Sequence, residues 1–103
     1  MVSLGSQAKD WFVEGNQAYA SGHLLEAKEA YLNAKRASPD NADIRVNLAS
    51  VLLDIGDSAA SELEYLEALS LDGQHTSGLF NLAMLLQDQH RFEEAQKHYE
   101  ALV

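Results

Sequence analysis

The chain contains no cysteine, so disulfides, thiolate nucleophiles and thiolate metal sites are excluded together, while every compartment stays open on that count. Basic residues are scarce: seven Lys and Arg stand against sixteen Asp and Glu, a formal net charge of −9. Such a surface repels phosphate backbones and anionic headgroups, which argues against nucleic acid and against membranes as partners. Long hydrophobic runs are also missing. The longest, Leu79 to Leu86, is interrupted by Asn81 and falls well short of the roughly 20 apolar residues that a membrane-spanning helix needs. Residues 1–7 lack the basic start and continuous apolar stretch of a secretory signal and read as a flexible leader. With neither signal nor span, the expected location is cytoplasmic. The four histidines, His23, His75, His90 and His98, show no zinc-site spacing and read as surface residues. Nothing resembles a glycine-rich phosphate loop or a nucleophile with its base and orienter. No enzyme activity, cofactor or metal is expected.

What is present is a repeat. Tyr31, Tyr65 and Tyr99 stand 34 residues apart, and Gly15/Ala49/Ala83, Gly22/Gly56/His90 and Ala27/Ser61/Ala95 recur at the same interval. That period is the length of a helix–turn–helix unit, which cannot bury its own apolar face and must stack on copies of itself. Segments 8–20, 42–54 and 76–88 carry apolar residues at helical spacing, as in Val46, Ala49, Leu52 and Leu53, and are the first helices of each pair. Segments 24–37, 58–71 and 92–103 are the second helices. Gly22 and Gly56 suit the left-handed residue that ends a helix, and Asp57 or Ser58 can cap the next one. Pro39, the one proline, stops the second helix of the first pair, after which Asp40 and Asn41 offer a cap. Asp72-Gly73 does this between the second and third pairs. The small residues at Gly15, Ala49 and Ala83 let paired helices approach. The three tyrosines fill the gaps between repeats, and Trp11 packs near the N-terminal end.

The residues at these positions resemble the tetratricopeptide repeat. In the first copy Trp11, Gly15, Tyr19, Gly22, Ala27, Tyr31, Ala34 and Pro39 match the family pattern; the second keeps Leu48, Ala49, Gly56, Tyr65, Ala68 and Leu71, and the third Leu82, Ala83, Phe92, Ala95 and Tyr99. Arg45 and Leu79 replace Trp11, Ser61 replaces alanine, Gly73 replaces proline and His90 replaces the turn glycine. The resemblance implies an all-α fold, a right-handed solenoid of six helices over residues 8–103, with repeats at 8–41, 42–75 and a shorter 76–103.

Successive first helices of such a stack line a concave face, and 100° steps put residues one, four, five and eight places along a helix on it. That register selects Lys9, Phe12, Val13, Asn16, Tyr19 and Ala20 in the first helix. It selects Asp43, Val46, Asn47, Ser50, Leu53 and Asp54 in the second, then Ser77, Phe80, Asn81, Met84, Gln87 and Asp88 in the third. Phe12, Val46 and Phe80 form an apolar row beside Asn47 and Asn81. The resemblance implies that Asn47 and Asn81 hydrogen-bond the backbone of an extended peptide, since an amide offers both donor and acceptor. The alternative is that they cap local backbone or face water. The expected peptide-binding set is Phe12, Asn16, Tyr19, Val46, Asn47, Ser50, Phe80, Asn81 and Met84.

Members of the family that hold acidic chaperone tails use lysine and asparagine in the first repeat, asparagine in the second, and lysine and arginine in the third. Asn16 and Asn47 match, but Phe12, Ser77 and Asn81 stand where the cations belong. With Asp43, Asp54 and Asp88 on that face, an apolar to basic protein or peptide is the expected partner. The third repeat ends without a polar closing helix, leaving a stripe of Ala95, Tyr99, Leu102 and Val103. That stripe implies either an excerpt from a longer repeat protein or self-association through the C-terminal end. The leading reading is a peptide- or helix-binding adaptor, scaffold or co-chaperone module. The second is an oligomerisation or spacer segment of a larger protein, and a third is a regulator of a catalytic domain elsewhere.

Overall fold

Residues 4–103 are described by a computed structural model. Six helices follow in order: α1 (Leu4–Ala20), α2 (Leu24–Ala37), α3 (Ala42–Ile55), α4 (Ser58–Leu71), α5 (Thr76–Asp88) and α6 (Phe92–Glu100). They pair α1 with α2, α3 with α4 and α5 with α6, while α2 packs on α3, α4 on α5 and α3 on α5. The described residues form an all-α helical-repeat solenoid.

The turn inside each pair is closed the same way three times. His23 N donates to Ala18 O, Asp57 N to Leu52 O and Arg91 N to Leu86 O, each at 2.9 Å, the bond that wraps a helix C-terminus around a left-handed residue. That residue is Gly22 (φ +78), Gly56 (φ +105) or His90 (φ +61). The starts of α3, α4 and α5 are capped by side chains. Asn41 Oδ1 accepts from Ile44 N at 3.1 Å and Asp57 Oδ1 from Ala60 N at 3.1 Å. His75, one period after Asn41, does the same for α5: its Nδ1 accepts from Gly78 N at 3.0 Å. Nδ1 is thereby the bare nitrogen of the ring, and Nε2–H points to Asp43 Oδ1 at 2.6 Å. His75 is therefore half-buried structural machinery rather than the surface histidine that spacing suggests.

Three element boundaries differ from those expected, one of them, the end of α3 at Ile55 instead of 54, by a single residue. Of the leader over 1–7, residues 1–3 lie outside the described residues, whereas Leu4–Gln7 already belong to α1. No proline stops the helix there, and Ala8, buried against Ala34 and Ile44, anchors it one turn further in. Helix α6 stops at Glu100 instead of running to 103, because Leu102 N and Val103 N bond three residues back, to Tyr99 O and Glu100 O, and tighten the last turn.

The core runs along the stack in three connected groups. Tyr31 and Ala27 of the first pair are covered by Leu48, Val51 and Leu52 of α3; Tyr65 and Ala68 of the second by Leu82, Leu85 and Leu86 of α5. Tyr31 and Tyr65 are each 1% exposed, a burial that contributes about 2–3 kcal/mol per ring. Gly15 is where α1 and α2 come closest: a Cβ added there would stand 2.5 Å from Tyr31 Cε1. Ser61 takes the place of alanine without leaving a polar group stranded, since its Oγ donates to Ala49 O at 2.7 Å.

Candidate functional site

Helices α1, α3 and α5 stand side by side, and the side chains selected by the concave register meet there as a repeated motif. Tyr31 reaches from α2 and donates its hydroxyl to Asn16 Oδ1. Asn47 of the next repeat donates from Nδ2 to the same oxygen at 3.0 Å. One period on, Tyr65 meets Ser50 Oγ at 2.9 Å, and Asn81 of the following repeat lines the same hollow as both. In the third repeat the residue in place of Asn16 and Ser50 is Met84, so Tyr99 turns instead to Gln87 Oε1 at 2.9 Å. Burial pushes Tyr31 and Tyr65 above the ordinary phenol range, partly offset by the polar side chains around them, Asn47 near Tyr31 and Ser50 against Tyr65. Tyr19 is also pushed up, by burial first and then by its hydrogen bond to Asp54.

These networks fix the amides and leave chosen atoms free. The Asn16 carbonyl accepts twice, so its NH₂ remains as a donor; the Asn47 NH₂ donates, so its carbonyl remains as an acceptor. A donor and an acceptor on one wall are what a peptide unit requires. The wall belongs to two adjoining hollows. One, of about 360 Å³, is lined by Asn16, Tyr19, Tyr31, Asn47 and Ser50. The other, of about 260 Å³, is lined by Tyr19, Ser50, Asp54, Asn81, Met84 and Asp88 among others. Tyr19 and Ser50 are common to both.

The apolar row expected beside the asparagines is corrected. Val46 is only 3% exposed and packs among Ala49, Tyr65 and Leu82, with Gly78 of α5 close over it. Phe12 is half-buried against the Tyr31 ring, centroids 6.0 Å apart. Outward apolar groups stand at both ends of the register instead: Val13 of α1 is 45% exposed, and at α5 Phe80 is 47% exposed and rests edge-on against Tyr99 at 6.1 Å, beside exposed Met84. The amides and hydroxyls of α1 and α3 and the carboxylates of Asp54 and Asp88 lie between them.

Its electrostatics are one-signed because several cations are committed elsewhere. Lys35 and Arg45 both hold Glu64, at 2.6 and 3.1 Å. Arg91 grips Glu62 through two nitrogens at 2.6 and 2.9 Å and also binds Glu94; those bonds hold the Glu94 carboxyl below its usual range. Arg45 stands where the first repeat has Trp11, and it also donates to Pro39 O at 3.0 Å. Of the residues on the concave register, Lys9 alone carries positive charge.

The C-terminal stripe is also rearranged. Ala95 of α6 is buried in the core with Leu82, Leu85 and Leu86, Tyr99 and Leu102 are half-buried and Val103 is exposed. Phe92, which the stripe did not include, is 58% exposed. Phe92, Tyr99 and Val103 surround a hollow of about 300 Å³ floored by Ala95. The signal that could have found Phe92 was its spacing, three residues before Ala95 and seven before Tyr99, which puts it on the same helix face. Among the described residues, no three potential metal ligands converge and no helix is long and apolar enough to cross a membrane.

Stacked antiparallel helix pairs with an amide-lined inner groove define a helical-repeat protein of the solenoid class. Tetratricopeptide repeat profiles match residues 12–75 and 76–103, and the chain belongs to the tetratricopeptide repeat (TPR) family. It is 36% identical over 86 residues to a barley protein described as probable UDP-N-acetylglucosamine–peptide N-acetylglucosaminyltransferase SPINDLY, an alignment covering 77% of this chain and 9% of the relative. It is 38% identical over 81 residues to human protein O-mannosyl-transferase TMTC3, covering 70% of this chain and 9% of the relative. With tetratricopeptide repeat protein 8 of Caenorhabditis elegans the identity is 31% over 104 residues, covering 98% and 21%. The chain thus spans about a tenth to a fifth of the length of these relatives. Among solved structures it superposes on the first TPR domain of Spaghetti (RPAP3) bound to the HSP90 peptide SRMEEVD, with a TM-score of 0.90 and 25% identity, over 94% of this chain and 77% of that one. The Arabidopsis OM64 TPR domain shares the fold, with a TM-score of 0.91 and 20% identity over 97% of this chain and 84% of that one.

Proposed function

We propose that this chain is a non-catalytic protein-interaction module whose concave groove takes an extended peptide or helix of apolar to basic character, in an adaptor, scaffold or co-chaperone role. The observation that carries the proposal is the amide pair of Asn16 and Asn47, tied to each other and to Tyr31 on the wall of one hollow, with the Asn16 NH₂ and the Asn47 carbonyl left over as donor and acceptor. Likeness to a repeat domain that holds a bound peptide supports the mode of binding. The charge of the ligand is argued from this chain alone. Phe12, Ser77 and Asn81 occupy the places where a clamp for acidic tails needs cations, and Asp54 and Asp88 line the groove instead. An acidic peptide would meet like charge at close range, whereas Arg or Lys beside Leu or Val would satisfy both carboxylates and the Phe80–Met84 surface.

The test is fluorescence anisotropy with two labelled probes, a pool of short peptides carrying fixed Arg and Leu among random residues and the acidic peptide SRMEEVD. Saturable binding of the first, weakened about tenfold or more when Asn47 and Asn81 are both changed to alanine, is the expected result; tenfold corresponds to about 1.4 kcal/mol. Preference for SRMEEVD would overturn the charge assignment. Absence of binding by both probes would overturn the groove itself and favour the second reading, a structural segment of a larger assembly, which the open apolar hollow at α6 supports.

A further inference from the structure

Of the two adjoining hollows in the groove, the first is walled by the amides of Asn16 and Asn47 and the second by carboxylates. Asp54 and Asp88 stand one period apart, at the same place on α3 and α5, and both line the hollow of about 260 Å³. On other faces of the molecule, carboxylates that lie between repeats are neutralised: Glu62 by Arg91, and Glu64 by Lys35 and Arg45. Among the described residues, neither Asp54 nor Asp88 is paired with a cation. Much of the remaining wall is apolar or aromatic, with Leu53, Met84 and Leu85 beside the rings of Tyr19 and Tyr65. The Ser50 hydroxyl, common to both hollows, is already engaged by Val46 O and by Tyr65.

Resting on the reading of the groove as a peptide site, we infer that this second hollow is a pocket for one arginine side chain of the ligand, taken in preference to lysine, with Asp88 and Asp54 as its carboxylates and Tyr19 as the residue that positions Asp54. Leu53, Met84 and Leu85 offer a wall for the aliphatic stem, which a long basic side chain lays along apolar surface while its head stays polar. The preference for arginine follows from the acceptors that remain. Tyr19 donates its hydroxyl to Asp54 Oδ2, which fixes that carboxylate and leaves Oδ1 as its acceptor. Asp88 has no such partner among the described residues, so both of its oxygens can take the planar fork of a guanidinium through two parallel bonds. The N–H groups on the other edge of the guanidinium then serve Asp54 on the neighbouring helix. An ammonium gathers its three donors at one point and is more strongly hydrated, so it meets two separate carboxylates less well and gives up more water on entry. The rings of Tyr19 and Tyr65 favour the same choice, because a guanidinium stacks on aromatic faces.

Fluorescence anisotropy on the intact chain with three versions of one labelled peptide pool tests this. The pools share a fixed Leu among random neutral residues and differ at one fixed position, which is Arg, Lys or citrulline, the last a neutral isostere of arginine. The Arg pool should bind about tenfold more tightly than the citrulline pool and about threefold more tightly than the Lys pool. Asp88→Asn should lower the affinity for the Arg pool to that for the citrulline pool, whose own affinity should not change. Tyr19→Phe keeps the ring and removes the hydroxyl. It should narrow the Arg-to-citrulline ratio at unchanged helix content by circular dichroism, an effect that a merely structural role for the tyrosine would not produce. Asn47→Ala should weaken all three pools alike, which separates the pocket from the main-chain contacts. Equal affinity for the Arg and citrulline pools, a Lys pool as tight as the Arg pool, or an Asp88→Asn change that acts on Arg and citrulline alike would each overturn the pocket and leave the groove standing. Failure of all three pools to bind would overturn the groove and the pocket with it.

Discussion

His90 holds a left-handed backbone at φ +61 in the turn where Gly22 and Gly56 serve in the first two repeats. A side chain in that region costs about 1–2 kcal/mol relative to glycine, offset in part by the smaller entropy an L-residue loses on folding. Its edge-on contact with Phe92, centroids 5.6 Å apart, recovers little, since both rings are exposed. His90→Gly should therefore stabilise the chain by about 0.5–1 kcal/mol, read as a higher urea midpoint at unchanged slope, whereas His90→Val should lower it. The buried tyrosines make a different demand. Burial raises the Tyr31 and Tyr65 hydroxyls above the free phenol range, so the folded chain binds those protons more tightly than the unfolded one. The stability they carry is complete below the unfolded value near 10 and is lost as pH rises beyond it, at up to about 1.4 kcal/mol per pH unit for each group. Denaturant midpoints between pH 8 and 11 should be flat at first and then fall, with phenolate absorbance appearing together with unfolding. A midpoint independent of pH throughout would contradict the buried hydrogen-bonded phenols.

At the scale of the element, α1 and α2 approach at Gly15, whose added Cβ would lie 2.5 Å from one carbon of Tyr31 and 2.6 Å from another. Tyr31 cannot move aside without leaving Asn16 and the cover of Leu48, Val51 and Leu52. Gly15→Ala should cost about 1–3 kcal/mol despite its better helix propensity, and should disorder the Asn16–Asn47 pair. A variant as stable as the parent would mean that Tyr31 has room to shift. The six helices were legible in the sequence because each carries a local cause: the period of the apolar residues, a left-handed position after each first helix, and Asn41 and Asp57 at the starts. The groove was legible only in part. Helical register places Asn16, Asn47, Ser50 and Asn81 on one face, but a 100° wheel treats a face as flat. It therefore put Val46 in the open, whereas α5 closes over it in three dimensions. The bonds of Tyr31 to Asn16, Tyr19 to Asp54 and His75 to Asp43 join residues 15 to 35 positions apart. No local pattern encodes such pairs, although the substitution of His75 for Asn41 one period earlier was a readable hint of a cap.

The whole molecule is a short stack, 48 × 25 × 19 Å, in which each helix packs mainly on its neighbours and stability is close to a sum of nearest-neighbour terms. That sum is uneven. Helix α3 packs against α2, α4 and α5 and is tied to α1 through Asn47 and Asp54. Helix α6 packs mainly on α5, buries Ala95 alone among its side chains and has no side-chain cap. The bonds of Arg91 to Glu62 and Glu94 fix its first turn, but ion pairs open to solvent contribute little. Opening should therefore begin at α6 and proceed inward, with α3 and α4 opening last. Native-state hydrogen exchange should show α6 amides exchanging at least tenfold faster than those of α3, a difference of at least about 1.4 kcal/mol in local opening. Equal protection would mean that the stack opens as one unit.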